Sequence, residues 1–243
     1  MNIAIDWGNS AIKAGIFEQG KPMEVYSQLS VENLQTLIRN APPDAVVVSS
    51  TNRPADQLRD QLPLKPGTFW LAVDGYTPVP MEKRYDTPNT LGTDRIASAV
   101  GAKVRFPDDA CLVIDMGTCV TYDYVDAASV FHGGMISPGF RMRFRAMHSF
   151  TERLPMVEPD ELRPSLLGKN TRQAMQAGVV NGLLAELNGI IDAHRREHPD
   201  VKVLICGGDA PFFESSLKPP IFAVPELVLI GLNRILQHNV DLS

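Results

Sequence analysis

The sequence predicts an α/β protein that carries one phosphate-holding device twice, and three observations support this. Two apolar runs, Ile3-Ala4-Ile5-Asp6-Trp7-Gly8-Asn9-Ser10 and Leu112-Val113-Ile114-Asp115-Met116-Gly117-Thr118-Cys119, both end in Asp-x-Gly followed by small polar residues. Strand and helix patterns alternate along the first half, as in α/β chains. The run from Ala45 to Ser49 is apolar throughout its centre, as expected of a strand covered on both faces. A buried strand delivers a carboxylate to its end, and glycine then lets the backbone turn tightly beside a ligand. The residues after the glycine offer backbone N–H groups and polar side chains to phosphate oxygens. A single Asp-x-Gly is an ordinary turn. Two copies on matching strands point to a duplicated fold that clamps a nucleotide between its halves.

The elements follow in order. A strand from Asn2 to Asp6 is followed by a hairpin partner from Ala11 to Phe17, with a turn at Gln19-Gly20. Val31 to Asn40 places Val31, Leu34, Leu37 and Ile38 on one helical face, with Ser30 as N-cap. After the Ala45 strand come a helix from Asp56 to Leu62, a strand from Thr68 to Val73 and a Pro-rich irregular loop from Gly75 to Pro88. A helix starts near Thr93, runs through Ile96, Ala97, Val100 and Gly101, and breaks at Phe106-Pro107-Asp108-Asp109. The halves are therefore expected to be residues 1–108 and 109–243, packed together without a Ser/Gly linker.

The second half repeats the theme with a strand to Asp115, another from Val120 to Val125 and a turn near Asp126. Gly133-Gly134-Met135-Ile136-Ser137-Pro138-Gly139 reads as a segment of close backbone approach, and from Phe140 a helix carries Phe144, Met147 and Leu154. Thr171 to Glu197 is a long helix, Val201 to Ile205 a strand ending in Gly207-Gly208-Asp209, and Glu226 to His238 a closing amphipathic helix.

Composition bounds the function. At 243 residues with 44% hydrophobic and 21% charged residues, the chain can bury a sizeable core. A net charge of -5 argues against a general nucleic-acid binder. No apolar stretch reaches the length of a membrane span, and the N-terminus lacks a basic start, apolar region and cleavage site, so a cytoplasmic protein is expected. Cys111, Cys119 and Cys206 are widely spaced, which fits reduced thiols; Cys111 and Cys206 read as core.

Some motifs have a plainer reading. His194-Arg195-Arg196-Glu197-His198 has the spacing of an inverted zinc-protease motif, but Pro199 follows at once, so it reads as the last turn of a surface helix. Arg141, Arg143, Arg145 and Arg153 read as a solvated helix face, with phosphate or a partner subunit as the alternative. Ala174, Gly178 and Gly182 form a stripe where another helix, in the chain or across a dimer, would approach. Asn89-Thr90-Leu91-Gly92-Thr93-Asp94-Arg95 stands apart, because a third carboxylate beside a phosphate-binding pair is what a kinase needs to take a proton from an acceptor hydroxyl.

Asp6-Trp7-Gly8-Asn9-Ser10 with Lys13, Gly92-Thr93-Asp94-Arg95, Asp115-Met116-Gly117-Thr118 and Gly133 to Gly139 together closely resemble the motifs of type III pantothenate kinases. That family belongs to the actin, hexokinase and acetate kinase superfamily, with a duplicated ribonuclease H-like fold and a nucleotide cleft between two similar halves. The resemblance spans essentially the whole chain. It departs at Cys119 and Thr93, where the family more often has Ala, and neither change removes a charge. It implies ATP-dependent phosphorylation of pantothenate to 4'-phosphopantothenate, the first step of coenzyme A synthesis. Asp6, Gly8, Asn9, Ser10 and Lys13 would hold the ATP phosphates, with Thr118 contacting them from the other half. Asp94 would be the general base, Gly92, Thr93, Asp94 and Arg95 would cradle pantothenate, and Tyr85 and Thr171 would complete the pocket. Magnesium would accompany ATP near Asp6, and Asp115 would coordinate a monovalent cation, potassium or ammonium. The family also implies a homodimer. Hard cations want oxygen ligands, which Asp6 and Asp115 supply, and the chain has no G-x-x-x-x-G-K-[ST] loop. Two other readings are a catalytically silent regulator that keeps the fold, and a kinase of another small acceptor. Retention of Asp6 and Asp94 speaks against the first.

Overall fold

Two β-sheets organise the chain, in a computed structural model that describes residues 1–243 except Asn9, Ser10, Asn52, Glu161 and Ser243. The first is ordered β3-β2-β1-β4-β5, from β1 (Asn2–Trp7), β2 (Ile12–Glu18), β3 (Lys21–Leu29), β4 (Ala45–Ser50) and β5 (Phe69–Ala72). β1 pairs antiparallel with β2 and parallel with β4, so the sheet is mixed. The second sheet contains β6 (Glu82–Lys83), β7 (Cys111–Met116), β8 (Cys119–Val125), β9 (Val130–Pro138), β10 (Lys202–Cys206) and β11 (Phe222–Ala223). Its order is β11-β10-β7-β8-β9-β6, so β9-β8-β7-β10-β11 repeats the order of the first sheet. The repeat seen in two Asp-x-Gly strands is thus a repeat of topology.

The helices are α1 (Val31–Asn40), α2 (Ala55–Arg59), α3 (Thr93–Arg105), α4 (Phe140–Ser149), α5 (Thr171–Glu197), α6 (Ala210–Phe213) and α7 (Leu227–Leu242). None of the described helices is long and apolar enough to cross a membrane. By contacts the chain forms two compact units: residues 1–109, 124–133 and 226–243 in one, and 110–123 with 134–225 in the other.

In the first unit the period of two along β1 decides what each face meets. Ile3, Ile5 and Trp7 join Val46 and Val48 in a core closed by Leu34 and Ile38 of α1 and Leu58 of α2. The opposite face, carrying Asn2, Ala4 and Asp6, meets α7, where Asn2 Nδ2 donates to Asn233 Oδ1 at 3.2 Å. α7 packs along α3 at two glycines. An added Cβ at Gly231 would stand 1.7 Å from the Ala97 carbonyl oxygen, and one at Gly101 would stand 2.3 Å from that of Leu227. The α1 start has the expected Ser30 cap, in a reciprocal capping box with Asn33. Lys103 ends α3 buried, with its ammonium donating to the carbonyls of Asp109, Asp126 and Ala127 at 2.7, 3.2 and 3.3 Å.

Several elements differ from expectation. β3 is a full nine-residue strand, but its apolar Met23 and Val25 face solvent, while a bulge sets the core-facing Tyr26 and Leu29 three residues apart and breaks the period of two. Gly133 to Pro138 is the second part of β9, although the close approach holds: an added Cβ at Gly134 would meet the Tyr122 carbonyl oxygen at 1.7 Å. The Gly75 to Pro88 loop contains β6, which pairs with β9. α4 stops at Ser149, short of Leu154, because the Thr151 hydroxyl donates to the Met147 carbonyl at 2.7 Å and draws the chain out of helix. α2 ends at Arg59 in place of Leu62.

Candidate functional site

Three adjacent strands of the first unit set Lys13, Asp6 and Ser49 side by side. Asp6 is the register partner of Lys13 across β1–β2 and of Ser49 across β1–β4. Register partners share a face of the sheet, here the face that also carries Asn2 and meets α7. Ser49 is fully buried, and its Oγ lies 2.7 Å from Oγ1 of Thr93, the first residue of α3. This hydroxyl pair pins the start of α3 to the strand beside Asp6. Past Trp7 the chain turns at Gly8, whose N–H donates to the Ala11 carbonyl at 3.1 Å. Asn9 and Ser10 lie outside the described residues.

Gly92 precedes α3 for a steric reason. An added Cβ there would stand 2.6 Å from Asp94 Oδ1, so a side chain at 92 would displace that carboxylate from its place over the helix start. Asp94 Oδ1 accepts the Arg95 backbone N–H at 2.9 Å, and a carboxylate with about four acceptor sites keeps others for a second donor. The helix dipole favours an anion in this first turn. Arg95 is buried, with its guanidinium carbon 6.0 Å from the Tyr85 ring centroid. Tyr85 in turn lies against Phe131 and over Gly133, where an added Cβ would come within 3.3 Å of the ring. Gly92, Thr93, Asp94, Arg95 and Tyr85 therefore share one neighbourhood.

In the second unit Asp115 stands near the end of β7 beside Cys206 of β10. The next residue, Gly207, has φ +93, and an added Cβ would lie 2.5 Å from Asp115 Oδ1, so its backbone rests on that carboxylate. Asp209 donates its N–H to the Met116 carbonyl at 3.0 Å. Burial pushes the Asp209 carboxyl above its usual range, against the opposing pull of Arg141, whose Nε lies 3.4 Å away. The turn after β7 is closed by the Gly117 N–H donating to the Cys119 carbonyl at 3.0 Å. Gly139 sits directly against this turn: an added Cβ would stand 2.2 Å from the Thr118 carbonyl oxygen and 2.7 Å from that of Gly117. Thr171 is exposed at the first residue of α5, after the N-cap Asn170.

The arginine run divides. Arg141 is half exposed, as a solvated face would have it. Arg143 is not on a solvated face: it donates to the Pro138 carbonyl, Ser137 Oγ and Glu186 Oε2 at 2.9, 2.9 and 2.6 Å. Gly178 and Gly182 have nothing within 4 Å of an added Cβ, so among the described residues no helix closes on that stripe. His198 is the C-cap of α5, at the last turn where the sequence places it. Sequence reasoning passed over Ser49, an unremarkable residue closing an apolar run, and noted Gly207 and Asp209 without giving them a role.

Among the described residues no group of three or more His, Cys, Asp or Glu could hold a metal by itself. Magnesium held largely through substrate phosphates needs only one or two carboxylates, so a lone Asp6 beside a turn fits it.

A family model described as type III pantothenate kinase matches residues 2–193. The type III pantothenate kinase of Cytophaga hutchinsonii is 42% identical over 240 residues, covering 99% of this chain and all of that one. Among solved structures, a conserved Campylobacter jejuni protein described as a Baf family transcriptional activator superposes with a TM-score of 0.63 at 20% identity, over 98% of this chain and 99% of that one. A ROK family glucokinase from Streptomyces griseus, solved with glucose and AMPPNP, gives 0.54 at 13% identity over 98% and 99%. These two likenesses concern the fold.

Proposed function

The chain belongs to the type III pantothenate kinase family, and from that premise we propose that it transfers the γ-phosphoryl group of ATP to the primary hydroxyl of pantothenate. The products are 4'-phosphopantothenate and ADP, and the step opens coenzyme A synthesis. The observation that carries the reading is the row Lys13-Asp6-Ser49, tied through Thr93 to the helix turn that presents Asp94.

Asp94 takes the proton of the acceptor hydroxyl, whose oxygen then bonds to the γ-phosphorus as the bond to the β–γ bridging oxygen breaks. Lys13 and the Gly8 turn, with Asn9 and Ser10, hold the phosphates, and Thr118 contacts them. Asp6 would hold magnesium, which would supply positive charge to offset that of the phosphates. Gly92, Thr93 and Arg95 hold pantothenate, with Tyr85 fixing Arg95 and Thr171 completing the pocket. Phosphoryl transfer asks a protein mainly for positioning and charge stabilisation, and these parts supply both. A monovalent cation at Asp115, division into repeated halves 1–108 and 109–243, a cytoplasmic location and a homodimer belong to the same reading. Exposed Leu166 and Leu167 beside open Gly178 and Gly182 support the dimer.

The test is a panel of small hydroxyl acceptors, pantothenate included, incubated with the protein and magnesium-ATP, with products identified by mass. Phosphorylated pantothenate well above every other acceptor is expected. ATP turnover with another acceptor alone, or none with any, would overturn the reading.

A further inference from the structure

A polar cluster in the second unit, made of residues given no role above, grips the segment on which the Thr118 turn rests. Tyr122 of β8 is 1% exposed and donates its hydroxyl to Glu186 Oε1 of α5 at 2.8 Å. Glu186 Oε2 accepts from Arg143 of α4 at 2.6 Å. Arg143 also holds the last two residues of β9, through Ser137 Oγ and the Pro138 carbonyl, each at 2.9 Å. Gly139 follows directly, with its backbone against the carbonyls of Gly117 and Thr118.

A half-buried Arg–Glu pair is a weak source of stability, because desolvation offsets most of its attraction. Its planar fork does fix geometry, since guanidinium donors hold their acceptors in one arrangement. Here the acceptors lie on two elements, β9 and α5, and what they set together with α4 is where the Gly139 backbone stands. The Thr118 turn cannot recede without meeting that backbone.

We infer that Arg143, Glu186 and Tyr122 are positioning residues for the nucleotide, acting through Ser137, Pro138 and Gly139 to back the Thr118 turn against the ATP phosphates. The inference rests on the proposed role of Thr118. A slackened network lets the turn withdraw, so phosphate contact weakens while the acceptor pocket around Asp94 and Arg95 is untouched. The signature is a split: nucleotide affinity and the KM for ATP change, and the KM for pantothenate does not.

The experiment compares Glu186→Gln, Tyr122→Phe and Arg143→Lys with the unmutated protein. Magnesium-ATP binding is measured by calorimetry without acceptor, and both KM values by steady-state kinetics. Glu186→Gln and Arg143→Lys are expected to weaken ATP binding roughly ten- to hundredfold, the scale of an ångström-level misplacement, with Tyr122→Phe milder. Gly139→Ala, which pushes the turn directly, should show the same split, and adding guanidinium to Arg143→Ala should recover ATP affinity. Thermal melting shows whether each variant is folded; should Glu186→Gln melt early, Tyr122→Phe and guanidinium rescue carry the test. Unchanged ATP affinity in folded variants, or equal rises in both KM values, would overturn the inference. If the unmutated protein bound no ATP, the kinase reading itself would fail, a separate result.

Discussion

Asp6 and Lys13 are direct cross-strand partners in the antiparallel β1–β2 pair, so a carboxylate and an ammonium leave the same face of the sheet beside the Gly8 turn. In the proposed function the carboxylate would meet magnesium and the ammonium the phosphate oxygens. Lys13→Met should weaken ATP binding by about ten- to hundredfold, the worth of one charge-assisted hydrogen bond. Asp6→Asn should weaken it mainly when magnesium is present. Calorimetry with and without magnesium reads both, and equal affinity throughout would remove this turn from the phosphate site.

The α3–α7 crossing predicts opposite outcomes for two glycines. Gly231→Ala drives a methyl group onto the Ala97 carbonyl oxygen, 1.7 Å from an ideal Cβ, and should destabilise the protein by on the order of 1–3 kcal/mol. Gly189, in the middle of α5, has nothing within 4 Å, so Gly189→Ala should stabilise by up to about 1 kcal/mol through helix propensity. Urea midpoints measure both. Equal shifts would mean that α3 and α7 do not cross at Gly231.

These residues also show what the sequence could reveal. The Asp-x-Gly strands were legible because their apolar runs and turn residues are adjacent in the chain, and α5, from Thr171 to Glu197, because a long helical segment is a local pattern. β3 was hidden because Met23 and Val25 face solvent and a bulge sets the core-facing Tyr26 and Leu29 three residues apart. Ser49 and Glu186 were hidden for another reason: their partners, Thr93 and Arg143, lie 44 and 43 residues away, and only the fold makes them neighbours.

Acid should act on the Glu186 cluster with a definite sign. Burial alone would raise this carboxyl, but hydrogen bonds from Arg143, Tyr122 and Ser137 outweigh it and hold it below its ordinary 4.5. A depressed folded value gives stability that is present above 4.5 and lost as pH falls through the folded value. With the side chain 26% exposed, solvent screening keeps the effect modest. Urea midpoints should therefore fall more steeply between about pH 5 and pH 3 in the unmutated protein than in Glu186→Gln. Parallel curves would show that the carboxylate adds nothing in this window.

If the proposed monovalent cation is held at Asp115, turnover depends on potassium. Replacing potassium by sodium or tetramethylammonium at constant ionic strength should slow turnover, and Asp115→Asn should blunt the difference. Equal rates in all three salts would leave Asp115 a structural residue held under Gly207.

Asp94→Asn tests the central claim most directly. The substitution keeps the size and the bond to the Arg95 N–H while removing the carboxylate proposed to accept the pantothenate proton. Turnover of pantothenate should fall on the order of a hundred- to ten-thousandfold, with ATP affinity retained. Near-normal turnover in a folded Asp94→Asn protein would contradict the account.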